Sequence, residues 1–149
     1  MAFDKPVFKI LAHNDTGGAP GHQGGVLIPK DLESYFPPLV NQCTPSQPTV
    51  SAFITAELFI GSTPLGQVQT RYQYQTWGAT RSPERRVTGN IGELRSRAKK
   101  DDILLFEKDV ANSLRYRLTL VRKGTPSYNS IISVAPGHRW GFLSKSITA

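Results

Sequence analysis

"QVQTRYQYQTW" (residues 67–77) alternates without a break. Gln67, Gln69, Arg71, Gln73, Gln75 and Trp77 fall on one side, with Val68, Thr70, Tyr72, Tyr74 and Thr76 on the other. A period of two is the signature of an extended strand with two different faces. One face is almost wholly polar, and glutamines set around an arginine are well suited to hydrogen-bonding a ligand, although a solvated outer face is the commoner use. Tyr72 and Tyr74 lie opposite, where they serve either as core or as stacking platforms for single-stranded bases.

Outward from this strand the chain continues to read as β structure. "TVSAFITAELFI" (49–60) is rich in β-branched and aromatic residues, and "GSTPLG" (61–66) makes the turn into 67–77. Earlier, "VFKILA" (7–12) and "GVLI" (25–28) read as strands. Residues 29–36 read as a helix opened by Pro29, with Leu32, Tyr35 and Phe36 on one face, and stopped by Pro37-Pro38. Downstream, "GATRSPERRVTGN" (78–90) reads as a long loop and residues 91–98 as a short helix. "DDILLFEKD" (101–109) and "SLRYRLTLVRK" (113–123) read as strands, the second with Leu114, Tyr116, Leu118 and Leu120 inward against Arg115, Arg117 and Thr119 outward. The last segment, 124–149, has no clear pattern. About six strands and two short helices suggest a small barrel or open pseudobarrel in one domain.

Composition narrows the function classes. The chain has 149 residues, a net charge of +7, 11 prolines, 13 glycines and a single cysteine, Cys43. One cysteine excludes an internal disulfide and any multi-cysteine zinc site, so a reducing, cytoplasmic setting is expected. The start carries no basic segment followed by an apolar run and is expected to be the mature start, and the longest uncharged stretch, 34–56, is too broken by prolines to cross a membrane. Between 71 and 100 there are eight basic residues against Glu84 and Glu93. Such a face either attracts polyphosphate backbones or simply solubilises the chain. Arginine outnumbers lysine ten to eight, which favours recognition, because the guanidinium fork matches phosphates and guanine edges.

The second long loop lies near the start: "HNDTGGAPGHQGG" (13–25) has five glycines, yet also His13, Asn14, Asp15, His22 and Gln23. A loop of this length inside a compact domain is usually functional or disordered. His13, Asp15 and His22 together permit a standalone metal-dependent nuclease, but a glycine-rich loop holds catalytic groups poorly. The acid-x-lysine pairing of restriction-type metal nucleases is absent from the chain. Asp101, Asp102, Glu107 and Asp109 cluster, and are expected to face solvent. Duplex reading suits the two loops: arginine addresses guanine, glutamine and asparagine address adenine, and an acid accepts from cytosine N4. Glu84, isolated in a basic loop, is either an intramolecular partner of a neighbouring arginine or a base reader.

The segment "LAHNDTGGAPGHQGGVLIPKDLESYFP" (11–37) resembles the N-terminal effector domain of EcoRII-like type IIE restriction endonucleases in its Asn-Asp-Thr-Gly, Gly-His-Gln and Ile-Pro elements. "WGATRSPERRVT" (77–88) resembles that domain's second recognition loop, with Pro83 as an insertion, and "KKDDILLFE" (99–107) resembles a strand motif of the wider B3-like family. The resemblance implies a mainly β, B3-like DNA-binding pseudobarrel with two short helices. Two long loops would grip double-stranded DNA and read 5′-CC(A/T)GG in the major groove. Carried over, Lys9, Asn14, Asp15, Thr16, His22 and Gln23 fall on an N-arm (about 9–25), and Arg81, Glu84, Arg85 and Arg86 on a C-arm (about 78–90). The family's strand arginine has no clean counterpart, and Arg71, Gln69 or Gln67 stands in its place. The resemblance further implies a domain without catalytic residues, metal or cofactor, monomeric in isolation and linked to a nuclease domain in a longer parent chain.

Overall fold

The computed structural model describes residues 2–17, 24–77 and 81–144. Its centre is the long hairpin of β3 (Thr49–Ile60) and β4 (Thr63–Gln75), antiparallel from Thr49↔Gln75 to Ile60↔Thr63. The turn is tighter than 61–66. Pairing resumes at Thr63, and Pro64 is tolerated inside β4 because the register shifts between Leu58 and Phe59.

Around this hairpin are β1 (Val7–Ile10), β2 (Val26–Leu27), β5 (Glu84–Thr88), α1 (Gly92–Arg97), β6 (Ile103–Lys108), β7 (Arg115–Val121), α2 (Pro126–Val134) and β8 (Trp140–Phe142). All eight strands form one curled sheet, in the order β2-β5-β4-β3-β7-β6-β1-β8, antiparallel throughout except where β3 meets β7. The curl brings the two ends of the sheet together. Lys9 on β1 donates from Nζ to the carbonyl of Leu27 on β2 at 2.6 Å, bridging strands that are not sheet neighbours. The result is the expected mainly β pseudobarrel.

Two cores lie on opposite faces of the sheet. The barrel interior holds Ile54, Leu58, Tyr72, Tyr74, Val87, Phe106, Tyr116 and Leu118. The segment read as a helix over 29–36 is a 3₁₀ helix, Lys30–Tyr35, with i→i+3 bonds such as Phe36 N–H to the Glu33 carbonyl. Pro37-Pro38 leaves it no length for α geometry. It plugs the barrel with aromatics: Phe36 stacks between Tyr72 (4.8 Å between centroids) and Tyr116 (5.6 Å). Tyr35 Oη accepts from Lys108 N–H at 2.8 Å, and Tyr116 Oη donates to the Tyr35 carbonyl at 2.9 Å. Tyr72 and Tyr74 are therefore core.

The second core packs α2 on the outer face of β1, β6 and β7, with Tyr128 and Ile131 against Phe8, Ile103, Leu105 and Val121. The unpatterned 124–149 segment thus supplies a capped helix, with Thr125 Oγ1 accepting from Tyr128 N–H, and an edge strand. That cover also corrects the face assignment of 113–123. Thr119, expected outward, is buried beside Leu105, while Leu114, expected inward, precedes β7 and is exposed. The acids 101–109 do not all face solvent either. Asp102, Glu107 and Asp109 are buried, and each has a bonded partner: Asp102 accepts from two backbone N–H groups, Glu107 from Arg117, and Asp109 from Ala111 N–H.

Candidate nucleic-acid interface

The segment expected as one loop over 78–90 contains a strand. Glu84–Thr88 forms β5, which pairs with β4 through Arg71↔Thr88, Gln73↔Arg86 and Gln75↔Glu84. Residues directly opposed in an antiparallel pair share a face. Arg71, Gln73, Gln75, Glu84, Arg86 and Thr88 therefore form one polar surface, while Tyr72, Tyr74, Arg85 and Val87 point to the interior. From Arg71 to Gln75 this surface runs roughly 13 Å at strand rise. Gln69 extends it, exposed, with its carbonyl accepting from Asn90 Nδ2 at 2.7 Å.

At the end near Thr88 stands the root of the N-terminal loop. Residues His13–Asp15 form a 3₁₀ turn in which Asp15 commits both oxygens. Oδ2 accepts from Ala12 N–H (2.9 Å) and lies 2.8 Å from Lys9 Nζ, and Oδ1 accepts from Leu27 N–H (3.1 Å). Burial pushes the Lys9 pKa down, with Asp15 pulling it back up and Arg139 and Arg86 adding to the depression. From the other side Arg95 of α1 donates to the carbonyls of Asp15 (3.0 Å), Thr16 (3.2 Å) and Asn14 (3.3 Å). Its pKa is also lowered, first by burial and then by Arg86, against the pull of Asp15. Thr16 is buried and donates to the His13 carbonyl. Asn14 and His13 remain exposed.

Two glycines let this loop leave and rejoin the fold. A Cβ on Gly17 would sit 2.7 Å from Ser96 Cα, and one on Gly25, whose φ is +96°, would sit 2.6 Å from Thr88 Cβ. His22 and Gln23 lie outside the described residues.

At the opposite end the C-terminal loop is tied to the same face through Glu84. Arg81 Nη2 donates to Glu84 Oε1 at 2.6 Å, and Arg86 Nη2 to Oε2 at 3.1 Å. The Arg81 guanidinium also lies over the Trp77 ring, 4.0 Å from its centroid. Arg86 Nε is buried with no partner among the described residues. Arg85 behaves differently from its neighbours. It is buried, lies over Tyr74 and pairs with Glu33 of the 3₁₀ helix.

The structure therefore divides the predicted site residues. Gln69, Arg71, Glu84 and Arg86 share the β4–β5 face and Arg81 is tied to it through Glu84, Asn14 stands exposed at the root of the N-arm, and Lys9, Asp15, Thr16 and Arg85 are buried. Gln73, already on the polar face by the alternation of 67–77, keeps that place, and Arg95 and Thr88 join the site without having been singled out. Reading "ERRVT" (84–88) as a strand opposite 71–75 would have found Thr88, but no local pattern marks Arg95. Among the described residues no group of three His, Cys, Asp or Glu side chains could hold a metal ion. Cys43 is half-buried, 3.7 Å from the Pro48 carbonyl. No helix among the described residues is long and apolar enough to cross a membrane.

Comparison with known proteins places residues 5–103 in a match to the family described as restriction endonuclease EcoRII, N-terminal. Among curated proteins none matches significantly. The fold is similar to that of the N-terminal domain of Helicobacter pylori LlaJI.R1. That match has a TM-score of 0.56 and 15% identity, covering 96% of this chain and 100% of that one. It is also similar to the B3 domain of the UbaLAI restriction endonuclease, solved with cognate DNA. Here the TM-score is 0.53 and the identity 22%, covering 99% of this chain and 86% of that one. The pseudobarrel is thus of the B3 kind.

Proposed function

The chain belongs to the family of restriction endonuclease EcoRII N-terminal domains, and from that premise we propose that it binds double-stranded DNA sequence-specifically as the recognition domain of a restriction endonuclease. The observation that carries this reading is the polar face of β4 and β5, bounded at one end by the root of the N-arm and at the other by the C-arm. Its length of roughly 13 Å between Arg71 and Gln75 matches the ≈ 12 Å width of the B-DNA major groove. The site is proposed to be 5′-CC(A/T)GG. Arg81 and Arg86 are the readers of guanine O6 and N7, and Glu84, whose oxygens hold both arginines in place, is the acceptor for cytosine N4. Asn14, with His22 and Gln23, reads from the N-arm, while Gln69 and Arg71 fill the position between the arms. Lys9, Asp15, Thr16 and Arg85 act from beneath.

Cleavage belongs, in this proposal, to a nuclease domain elsewhere in a longer cytoplasmic protein, with this domain monomeric. Asp15, the acid of the His13–Asp15–His22 alternative, is fully occupied by Lys9 and two backbone N–H groups. Incubating the chain with plasmid carrying the site and magnesium or manganese tests this. Intact plasmid is expected, and cutting abolished by His22→Ala would overturn it. Recognition is tested by competition: Arg81→Ala should lose about 1–3 kcal/mol on the cognate duplex and relax one base pair. An unchanged ratio of cognate to scrambled binding would remove Arg81 from the readers.

A further inference from the structure

A second basic surface lies beside the N-arm and is built by two separate segments, 97–102 and 122–123. Asp102, buried at the start of β6, accepts from Lys99 N–H (3.0 Å) and Lys123 N–H (2.9 Å), with Arg122 Nη1 at 3.5 Å. Arg122 also donates to the Arg97 carbonyl at the end of α1. One buried carboxylate thus gathers Lys99, Lys100, Arg122 and Lys123 at a single corner. Arg122 is partly neutralised by Asp102, as Arg97 is by Glu93. Lys99, Lys100 and Lys123 are exposed and form no ion pair among the described residues. Like charges drawn together repel, so a fold that holds them together stores a field suited to a polyanion.

The position of this corner identifies the polyanion. Leu11 N–H donates to the Asp102 carbonyl (2.7 Å) and Asp101 N–H to the Leu11 carbonyl (2.9 Å), so the lysines flank the chain two residues before the N-arm turn. A duplex lying between the arms and continuing past the N-arm would run beside this corner. We propose that Lys99, Lys100 and Lys123 contact backbone phosphates of the DNA flanking the recognition site on the N-arm side. The inference rests on the duplex-binding reading above. These contacts carry no sequence information and lengthen the footprint.

The test compares wild type with a Lys99→Ala/Lys100→Ala/Lys123→Ala variant and with the corresponding triple arginine variant. The probes are a duplex ending at CC(A/T)GG, the same site with one helical turn of flanking duplex on each side, and a scrambled flanked duplex. On flanked DNA the alanine variant should lower the slope of log affinity against log salt by about 2–3 units, near 0.9 per phosphate. The ratio of cognate to scrambled affinity should not change, the short duplex should be bound as by wild type, and the arginine variant should restore the slope. A wild-type slope in the alanine variant, or a loss that the arginines do not restore, overturns the proposal. If wild type shows no preference for the cognate sequence but the alanine variant still lowers the slope, the recognition reading fails and the phosphate surface stands.

Discussion

Lys9 Nζ lies 2.8 Å from Asp15 Oδ2 deep in the fold and donates at the same time to the Leu27 carbonyl. One ammonium therefore joins β1, the root of the N-arm and β2. Removing one member of such a pair strands the other charge in a poorly solvated place, which costs about 3–5 kcal/mol. Lys9→Met is expected to lose stability on that scale in urea unfolding and to weaken binding of every duplex alike. Asp15→Asn, which leaves the Lys9 ammonium uncompensated and turns an amide NH2 toward a donor where the carboxylate accepts on both oxygens, should lose a comparable amount. A Lys9→Met protein as stable as wild type would remove the pair from its bracing role.

Gly25 should tolerate no side chain. Its φ of +96° and the approach of Thr88 leave Gly25→Ala both strained and crowded, at about 1–3 kcal/mol. Thermal unfolding measures the cost, and loss of duplex affinity beyond that expected from the unfolded fraction would show that the return of the arm is misplaced.

Stability should fall steeply above pH 10. Burial raises the pKa values of the Tyr35, Tyr72 and Tyr116 phenols above their ordinary 10.0. Below pH 10 both folded and unfolded chains keep these protons. As pH rises further the unfolded chain loses them first, so the stabilisation is withdrawn at about 1.4 kcal/mol per pH unit for each tyrosine. Lys9, with its lowered pKa, works in the opposite sense up to 10.5, but it is one group against three. Tyr72→Phe should reduce the slope. It should also be neutral or slightly stabilising at pH 7, because Tyr72 Oη is buried without a partner among the described residues, whereas Tyr116→Phe gives up a real bond worth about 1 kcal/mol. Equal losses from both substitutions would contradict this.

Arg95→Ala and Arg81→Ala should fail differently. Arg95 spends its guanidinium on three carbonyls of the N-arm turn and is proposed to touch no base, so its loss should lower affinity for cognate and scrambled DNA together. Arg81 should instead change the ratio. Arg95→Lys, with one point charge in place of a fork, should restore only part. Competition binding of the three variants separates the roles.

Most of the architecture was legible because it rests on local patterns. The alternation of 67–77 reads directly as a strand, and 49–60 matches β3 from end to end. What escaped was set by contacts distant in sequence. "ERRVT" is too polar to announce β5, and becomes a strand because β4 and β2 flank it. Arg85 and Arg86 look equivalent in the sequence, yet the pleat sends one inward, to pair with the half-buried Glu33, and the other to Glu84 on the polar face. Lys9 and Asp15 read in the sequence only as candidate DNA contacts, and their burial and mutual pairing are visible only once β1 and the N-arm root are adjacent. Arg95 is decided wholly by where α1 docks.

The face between the two arms is proposed to read one particular duplex sequence. Selection of bound duplexes from a random pool, sequenced after several rounds at fixed salt, tests it most directly. Enrichment of CC(A/T)GG, lost at a single base pair with Arg81→Ala, is the predicted result. A pool that stays random, or that converges on an unrelated motif in wild type and variant alike, would contradict it.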